Sequence, residues 1–333
     1  MKNKIYKFFI YIFAINFLII SSALFIEYIL KVKPCALCIY QRYPYYLILL
    51  LSALFFLKNN WKNQLMILII VTSVGSFFIA TYHVGIEYGL INELSSCKTE
   101  ISKNMSKDVL LKELQNKLAP SCKEVSFKLF GLSLASINMI MSLILTILYY
   151  KIFSWTKKNE QIAEMIRVNH AGERGAIKIY EGQLRALQLF NKDPELQNTI
   201  KEMRDHELEH LEFFENQIIE RKVRPTALLP LWDVLGTALG FSTALLGKKA
   251  TALCTSAVEE VIGGHYGEQI DILSKEYKEE KELKKKFIKF REEELEHKNT
   301  AESLGANNDG LYSILDAVIK NSSKLAIAIS KKY

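Results

Sequence analysis

Residues 205–210 read Asp205-His206-Glu207-Leu208-Glu209-His210, and residues 292–297 read Glu292-Glu293-Glu294-Leu295-Glu296-His297. Each run contains Glu-x-x-His. Residues three apart share a helix face, so each run offers one carboxylate and one imidazole to a common point. One copy in a charged helix is weak evidence. Here both copies follow another glutamate at matched distance: Glu173 stands 34 residues before Glu207, and Glu259 stands 35 before Glu294. The pattern is a doubled helical hairpin, with Glu on one arm and Glu-x-x-His on the other. Four such helices would turn four carboxylates and two imidazoles inward, the ligand set of a ferritin-like two-metal carboxylate bundle. Those donors suit iron or manganese, whereas zinc more often takes four donors including sulfur. The competing reading is solvated charge on four helices. Against it, Ile166, Glu173, Ile177, Tyr180, Leu184 and Leu187 form one stripe at helical spacing, and a carboxylate buried there needs a partner.

Around these runs the periodicity predicts helices at 160–190, 194–222, 231–247, 250–277, 280–303 and 310–331. Nothing reads as a strand, and Gly172-Glu173-Arg174-Gly175 is no nucleotide loop because both flanks are helical. His170 and His206 read as structural, and Cys254 as a core residue. The stretch 226–247 is nearly long enough to span a bilayer. Pro230, Asp233, three glycines and the following Lys248-Lys249 argue instead for a segment half-sunk in one leaflet.

The region before residue 158 is of another kind. Half of the 333 residues are hydrophobic and 24% are charged, a combination rare in one compact body. Residues 1–158 hold 18 Lys/Arg against 7 Asp/Glu, and residues 159–333 hold 25 against 29. Disorder is excluded by the apolar content, and a purely integral membrane protein by a mean hydropathy of +0.08. Four apolar stretches, 5–30, 36–57, 64–82 and 127–150, each approach the ~20 residues that span a bilayer. The first is too long for a signal-peptide core and reads as an uncleaved helix. Lys2, Lys4, Lys7, Lys58, Lys62, Lys151, Lys157 and Lys158 fall on one side of a four-span arrangement, which the positive-inside rule makes cytoplasmic; Lys31 and Lys33 weaken the rule without reversing it. The opposite side carries a corner at 31–35 and a long loop, 83–126, with an expected amphipathic helix at 104–118.

Four of the five cysteines fall on that opposite, oxidising side: Cys35 and Cys38 at the corner, Cys97 and Cys122 in the loop. Cys35-Ala-Leu-Cys38 has the spacing of an exchangeable dithiol. Two inert structural disulfides are the alternative, and a metal site is disfavoured because no histidine accompanies the four. Arg42, at the mouth of the second stretch, is a cation at membrane depth. It reads as functional by default, with snorkelling to the interface as the bland reading.

Lys33-Pro34-Cys35-Ala36-Leu37-Cys38-Ile39-Tyr40-Gln41-Arg42, then a loop cysteine pair and a fourth apolar stretch, resembles the DsbB membrane quinone reductases. The resemblance implies that Cys97–Cys122 takes electrons from a DsbA-like periplasmic thiol oxidase and passes them to Cys35–Cys38. From there Cys38 hands them to ubiquinone near Arg42, with His83 also at the quinone site. Further on, Ile166-Arg-Val-Asn-His170-Ala-Gly-Glu173, Arg224-Pro225-Thr226, Pro230-Leu-Trp232, Val258-Glu259-Glu260 and Phe290–His297 together resemble the demethoxyubiquinone hydroxylases, which are di-iron monooxygenases. That resemblance implies two iron ions on Glu173, Glu207, His210, Glu259, Glu294 and His297, O2 as co-substrate, and His265 and Tyr266 as supporting residues.

The expected architecture is therefore all-α: a four-span membrane bundle at 1–154, a linker at 155–161 and a di-iron bundle at 162–333. Expected partners are the thiol oxidase, ubiquinone and demethoxyubiquinone, the lipid bilayer and other ubiquinone-biosynthesis proteins, with no nucleic acid. The expected location is a bacterial inner membrane. Two other classes stay open: a ferritin-like ferroxidase or quinol oxidase, and a degenerate anchor that only tethers the soluble half.

Overall fold

The computed structural model describes residues 2–57, 61–92, 121–125, 127–190, 193–306 and 309–331. The chain forms two compact units, Met1–Lys157 and Lys158–Tyr333. Cys97 and the expected amphipathic helix at 104–118 lie outside the described residues.

The first unit contains α1 (Lys2–Tyr28), a short α2 (Ala36–Tyr40), α3 (Tyr43–Leu57), α4 (Lys62–Glu87) and the beginning of α5 (Leu134–Phe190). Before α5, Lys128–Leu129 pairs antiparallel with Leu132–Ser133 across a turn whose Gly131 has φ of 81°. Among the described residues, three helices are long and apolar enough to cross a membrane: those containing Lys7–Tyr28, Lys62–Glu87 and the start of Leu134–Phe190. The expected second span, 36–57, is not one helix. It breaks at Gln41-Arg42 because Pro44, in the first turn of α3, cannot donate to the Tyr40 carbonyl and its ring would clash there. The 15 residues of α3 reach only ~22 Å. Helix α4 outlasts the expected 64–82 segment, so His83 and Glu87 are helical.

Phe9, Ile12 and Ile20 of α1, Tyr45, Ile48 and Phe55 of α3, Ile69 of α4 and Leu145 of α5 make the apolar core. Polar side chains are buried in the same interior: Asn16, Ser52, Ser73, Ser76 and Ser142. Phe17, Leu18, Leu50, Val71 and Phe78 point outward. Apolar groups outside with small polar groups between helices is the arrangement that lipid selects, since interhelical contact there depends on small residues and hydrogen bonds.

Residues 155–161, expected as a linker, are helical within α5 and contain no glycine or proline. The second unit adds α6 (Pro194–Arg221), α7 (Leu229–Leu245), α8 (Lys248–Glu276), α9 (Lys281–Ser303) and α10 (Leu311–Ser330) to the remainder of α5. Each element lies within a few residues of its expected position. Asp193 caps α6, accepting from the Leu196 amide at 3.1 Å, and Pro194 opens the helix where no amide donor is needed. Helix α7 crosses α5 at very close range. A Cβ on Gly240 would sit 1.9 Å from the Ile179 carbonyl oxygen, and one on Gly182 would sit 2.2 Å from that of Thr237. Arg174 clamps Asp233 with two 2.7 Å hydrogen bonds across the same interface. The other face of α7 exposes Leu231, Val234 and Leu235, and α10 exposes Leu311, Ile314, Val318 and Leu325.

Candidate metal centre and dithiol site

Glu173 on α5, Glu207 and His210 on α6, Glu259 on α8, and Glu294 and His297 on α9 converge inside the second unit, all 3% exposed or less. Their donor atoms form two groups, each within 4.8 Å. One comprises Glu173, Glu207, His210 and Glu294; the other comprises Glu207, Glu259, Glu294 and His297. Glu207 and Glu294 belong to both. His210 Nδ1 lies 3.4 Å from Glu173, 3.4 Å from Glu207 and 3.3 Å from Glu294. His297 Nδ1 lies 3.1 Å from Glu207. Despite this crowding, Glu173 Oε2, both oxygens of Glu207 and Glu294, Glu259 Oε2 and the Nδ1 atoms of both histidines lack hydrogen-bond partners. Buried polar atoms are rarely left so, and eight pointing at one another fit cations between them.

The electrostatics agree. Burial, then the facing carboxylates of Glu294 and Glu207, push Glu259 well above the usual carboxylate range. Burial works against a charged His210, yet the carboxylates of Glu173, Glu207 and Glu294 hold it far above an ordinary imidazole. His297 is raised to about 9 by Glu207 and Glu294 against the same opposing burial.

The outer atoms of the site are satisfied. Tyr180 donates to Glu259 Oε1 at 2.6 Å, and Tyr266 donates to Glu173. His210 Nε2 lies 2.9 Å from Glu293 Oε2, and His297 Nε2 lies 3.1 Å from His206 Nδ1. Both rings thus turn Nδ1 inward while Nε2 is held from outside. His206, read from sequence as structural, is the contact of a candidate ligand, and Glu293 carries no signal in the sequence that sets it apart from its neighbouring glutamates. His265 is placed elsewhere: Gln269 lies 2.9 Å from its Nε2, and Gln269 is paired with Asn169. Cys254 is fully buried in the core, its thiol pushed up to about 12 by burial.

In the first unit, Cys35 caps α2 and accepts from the Cys38 amide, and the two sulfurs lie 3.0 Å apart. The fold supplies what the sequence order concealed, a histidine beside the cysteines. His83 Nε2 lies 3.6 Å from Cys35 Sγ and 3.2 Å from the Cys122 carbonyl oxygen. Donor atoms of Cys35, His83 and Cys122 all fall within 4.8 Å. Contrary to the expectation from sequence, a histidine therefore does accompany the cysteines. Arg42 bonds Glu27 of α1, a partner with no signature in the apolar run that holds it. A cavity of about 500 Å³ is lined by Cys35, Cys38, Arg42 and His83 and by apolar side chains that include Ile19 and Met141. That size suits a ring-sized ligand with part of an apolar tail.

Residues 160–330 match the family model described as ubiquinone biosynthesis protein COQ7, and residues 6–152 match the one described as disulfide bond formation protein DsbB. A mitochondrial NADPH-dependent 3-demethoxyubiquinone 3-hydroxylase of Dictyostelium discoideum is 42% identical over 175 residues, 53% of this chain and 79% of that protein. The Homo sapiens protein of the same name is 42% identical over 172 residues, 51% of this chain and 77% of its own. A 3-demethoxyubiquinol 3-hydroxylase of Rhodospirillum rubrum is 42% identical over 171 residues, 51% and 78% respectively.

Proposed function

The chain belongs to the ubiquinone biosynthesis protein COQ7 family, with a DsbB domain ahead of it, and we infer that it joins two quinone reactions in one polypeptide. The C-terminal half hydroxylates demethoxyubiquinone. One atom of O2 enters the unsubstituted ring carbon; the other leaves as water with two electrons and two protons from an external reductant. The reading is carried by the convergence of four buried carboxylates and two imidazoles whose inward atoms have no other partner. Glu173, Glu207, His210, Glu259, Glu294 and His297 would hold two iron ions. When bound, iron supplies the activation of O2. The chain's own residues set the ligand geometry: Tyr180 and Tyr266 hold the outer oxygens of Glu259 and Glu173, and burial excludes water. The exposed apolar stripes of α7 and α10 support a seat half-sunk in the bilayer, giving a polyprenyl tail access.

The N-terminal half reoxidises a DsbA-like thiol oxidase and reduces ubiquinone. Cys97–Cys122 accepts electrons from the partner, Cys35–Cys38 accepts them from the loop pair, and the quinone occupies the cavity beside Cys38 and Arg42. Residues 1–154 are this domain and 162–333 the hydroxylase. The location is a bacterial inner membrane, with the cysteines periplasmic and the iron site cytoplasmic. One half completes ubiquinone and the other uses it as oxidant. Purified full-length protein loaded with iron and supplied with a two-electron reductant, heavy-isotope O2 and demethoxyubiquinone should place one heavy oxygen on the ring; product labelled from water instead would reject the reading.

A further inference from the structure

Four side chains in the first unit form a hydrogen-bond chain with a single direction. Tyr45 Oη donates to Asn138 Oδ1. Asn138 Nδ2 donates to Gln41 Oε1 at 2.8 Å, and Gln41 Nε2 lies 2.9 Å from His83 Nδ1. Tyr45, Asn138 and Gln41 come from α3, α5 and the turn after α2, and His83 from α4, so the chain ties three helices and the α2 turn together. An amide NH2 can only donate. With its oxygen already engaged by Asn138, Gln41 presents that NH2 to Nδ1, which must then be the bare, accepting nitrogen. The ring proton is left on Nε2. Nε2 in turn faces two groups that can only accept, the Cys122 carbonyl at 3.2 Å and Glu87 Oε1 at 3.9 Å, and Cys35 Sγ at 3.6 Å, whose own S–H is directed at Cys38.

We infer that this chain locks His83 in its Nε2–H tautomer, making it a fixed hydrogen-bond donor to the Cys35 sulfur and not a base, with Gln41, Asn138 and Tyr45 as positioning residues. The inference deepens, and rests on, the thiol–quinone reading of this half. In that reaction the S–H bonds of Cys35 and Cys38 break and their S–S bond forms. Two electrons and two protons pass to the quinone, which becomes the quinol. His83 keeps its proton throughout. It stabilises the Cys35 sulfur while that atom carries negative charge, between loss of its proton and formation of the S–S bond, and Gln41 prevents the ring from switching to a form that would repel the thiolate. Among the described residues, the charged or titratable groups that share the cavity with Cys35 are Cys38 on its own turn, Lys33, Tyr45, Glu124, the Arg42–Glu27 pair, and His83 and Glu87 on α4, with Cys122 packed beside Cys35.

The test uses the full chain in detergent, with isotopically labelled histidine and cysteine read by nuclear magnetic resonance in a Cys38→Ser background. His83 signals are identified by their loss in His83→Phe. Wild-type His83 should show a protonated Nε2 and a bare Nδ1, and Gln41→Glu, whose carboxylate can only accept, should reverse them. The Cys35 titration midpoint should rise by about one pH unit in His83→Phe, the weight of one hydrogen bond to a charged acceptor. It should be restored by His83→Gln, which keeps a donor. A wild-type ring protonated on Nδ1, or a midpoint that His83→Phe leaves in place, overturns the inference. Thiol-dependent quinone reduction is measured separately on the wild-type chain. Its absence would reject the thiol–quinone reading while the tautomer result stands on its own.

Discussion

His297 Nδ1 lies 3.1 Å from Glu207 Oε1, so an imidazole of the second Glu-x-x-His helix meets the carboxylate of the first. The two hairpins of the repeat interleave their donors, and neither could build the centre alone. The sharing of Glu207 and Glu294 by both donor groups has a direct consequence for metal content.

Glu207→Ala and Glu294→Ala should each lose both iron ions, because each removes a donor common to the two groups. Glu173→Ala and His210→Ala remove donors from one group only and should retain iron in the other. Elemental analysis of the purified variants distinguishes these patterns; equal loss in all four would show that the shared positions have no special weight.

Glu293 contacts His210 and His206 contacts His297, so each would act on a bound metal through that imidazole. Removing such an outer partner typically costs ten- to a hundredfold in metal affinity. Glu293→Gln keeps the shape and loses the charge, so it should weaken iron retention in a chelator competition, while Glu292→Gln on the same helix should not. The readout is the chelator concentration that strips half the iron.

Much of this centre was legible because ligand spacing on a helix is periodic: Glu207 with His210 and Glu294 with His297 follow from a period of 3.6. Its outer layer was not. Glu292, Glu293 and Glu296 look alike in the sequence, and which of them reaches back to His210 depends on how α9 is rotated against α6. In the first unit, Asn138 and Glu27 lie in largely apolar stretches, with nothing in the sequence to name Gln41 or Arg42 as their partners. His83 is 48 residues from Cys35, and only the packing of α4 brings them together. The break in the second expected span does have a signal in the sequence, Pro44.

The α5–α7 crossing depends on the absence of two Cβ atoms. Gly240→Ala and Gly182→Ala each force a methyl into backbone and should destabilise the second unit by about 1–3 kcal/mol or more. Gly264→Ala, with nothing within 4 Å, should be neutral or stabilising by up to ~1 kcal/mol through helix propensity. Thermal unfolding of the full chain in detergent measures both.

Arg174 holds the Asp233 carboxyl below the usual carboxylate range by direct hydrogen bonding. A depressed folded-state value means the contribution is present above the unfolded value, near pH 4, and disappears as pH falls through the folded one. The pair is partly exposed, so its worth is on the order of 1 kcal/mol. Asp233→Asn should lose that amount at pH 7 and equal the wild type near pH 2, as read from denaturant midpoints at the two pH values.

The central claim is that one chain completes ubiquinone with one half and uses it as oxidant with the other. The most direct measurement expresses the chain in a bacterial strain lacking both its own hydroxylase and its own DsbB. The ubiquinone-to-demethoxyubiquinone ratio is followed by mass spectrometry, and the redox state of the DsbA-like partner by thiol trapping. The wild-type chain should restore ubiquinone and an oxidised partner. Glu207→Ala should leave demethoxyubiquinone accumulated, and Cys38→Ser should leave the partner reduced while ubiquinone is made normally. Ubiquinone restored by Glu207→Ala, or an oxidised partner with Cys38→Ser, would contradict the claim.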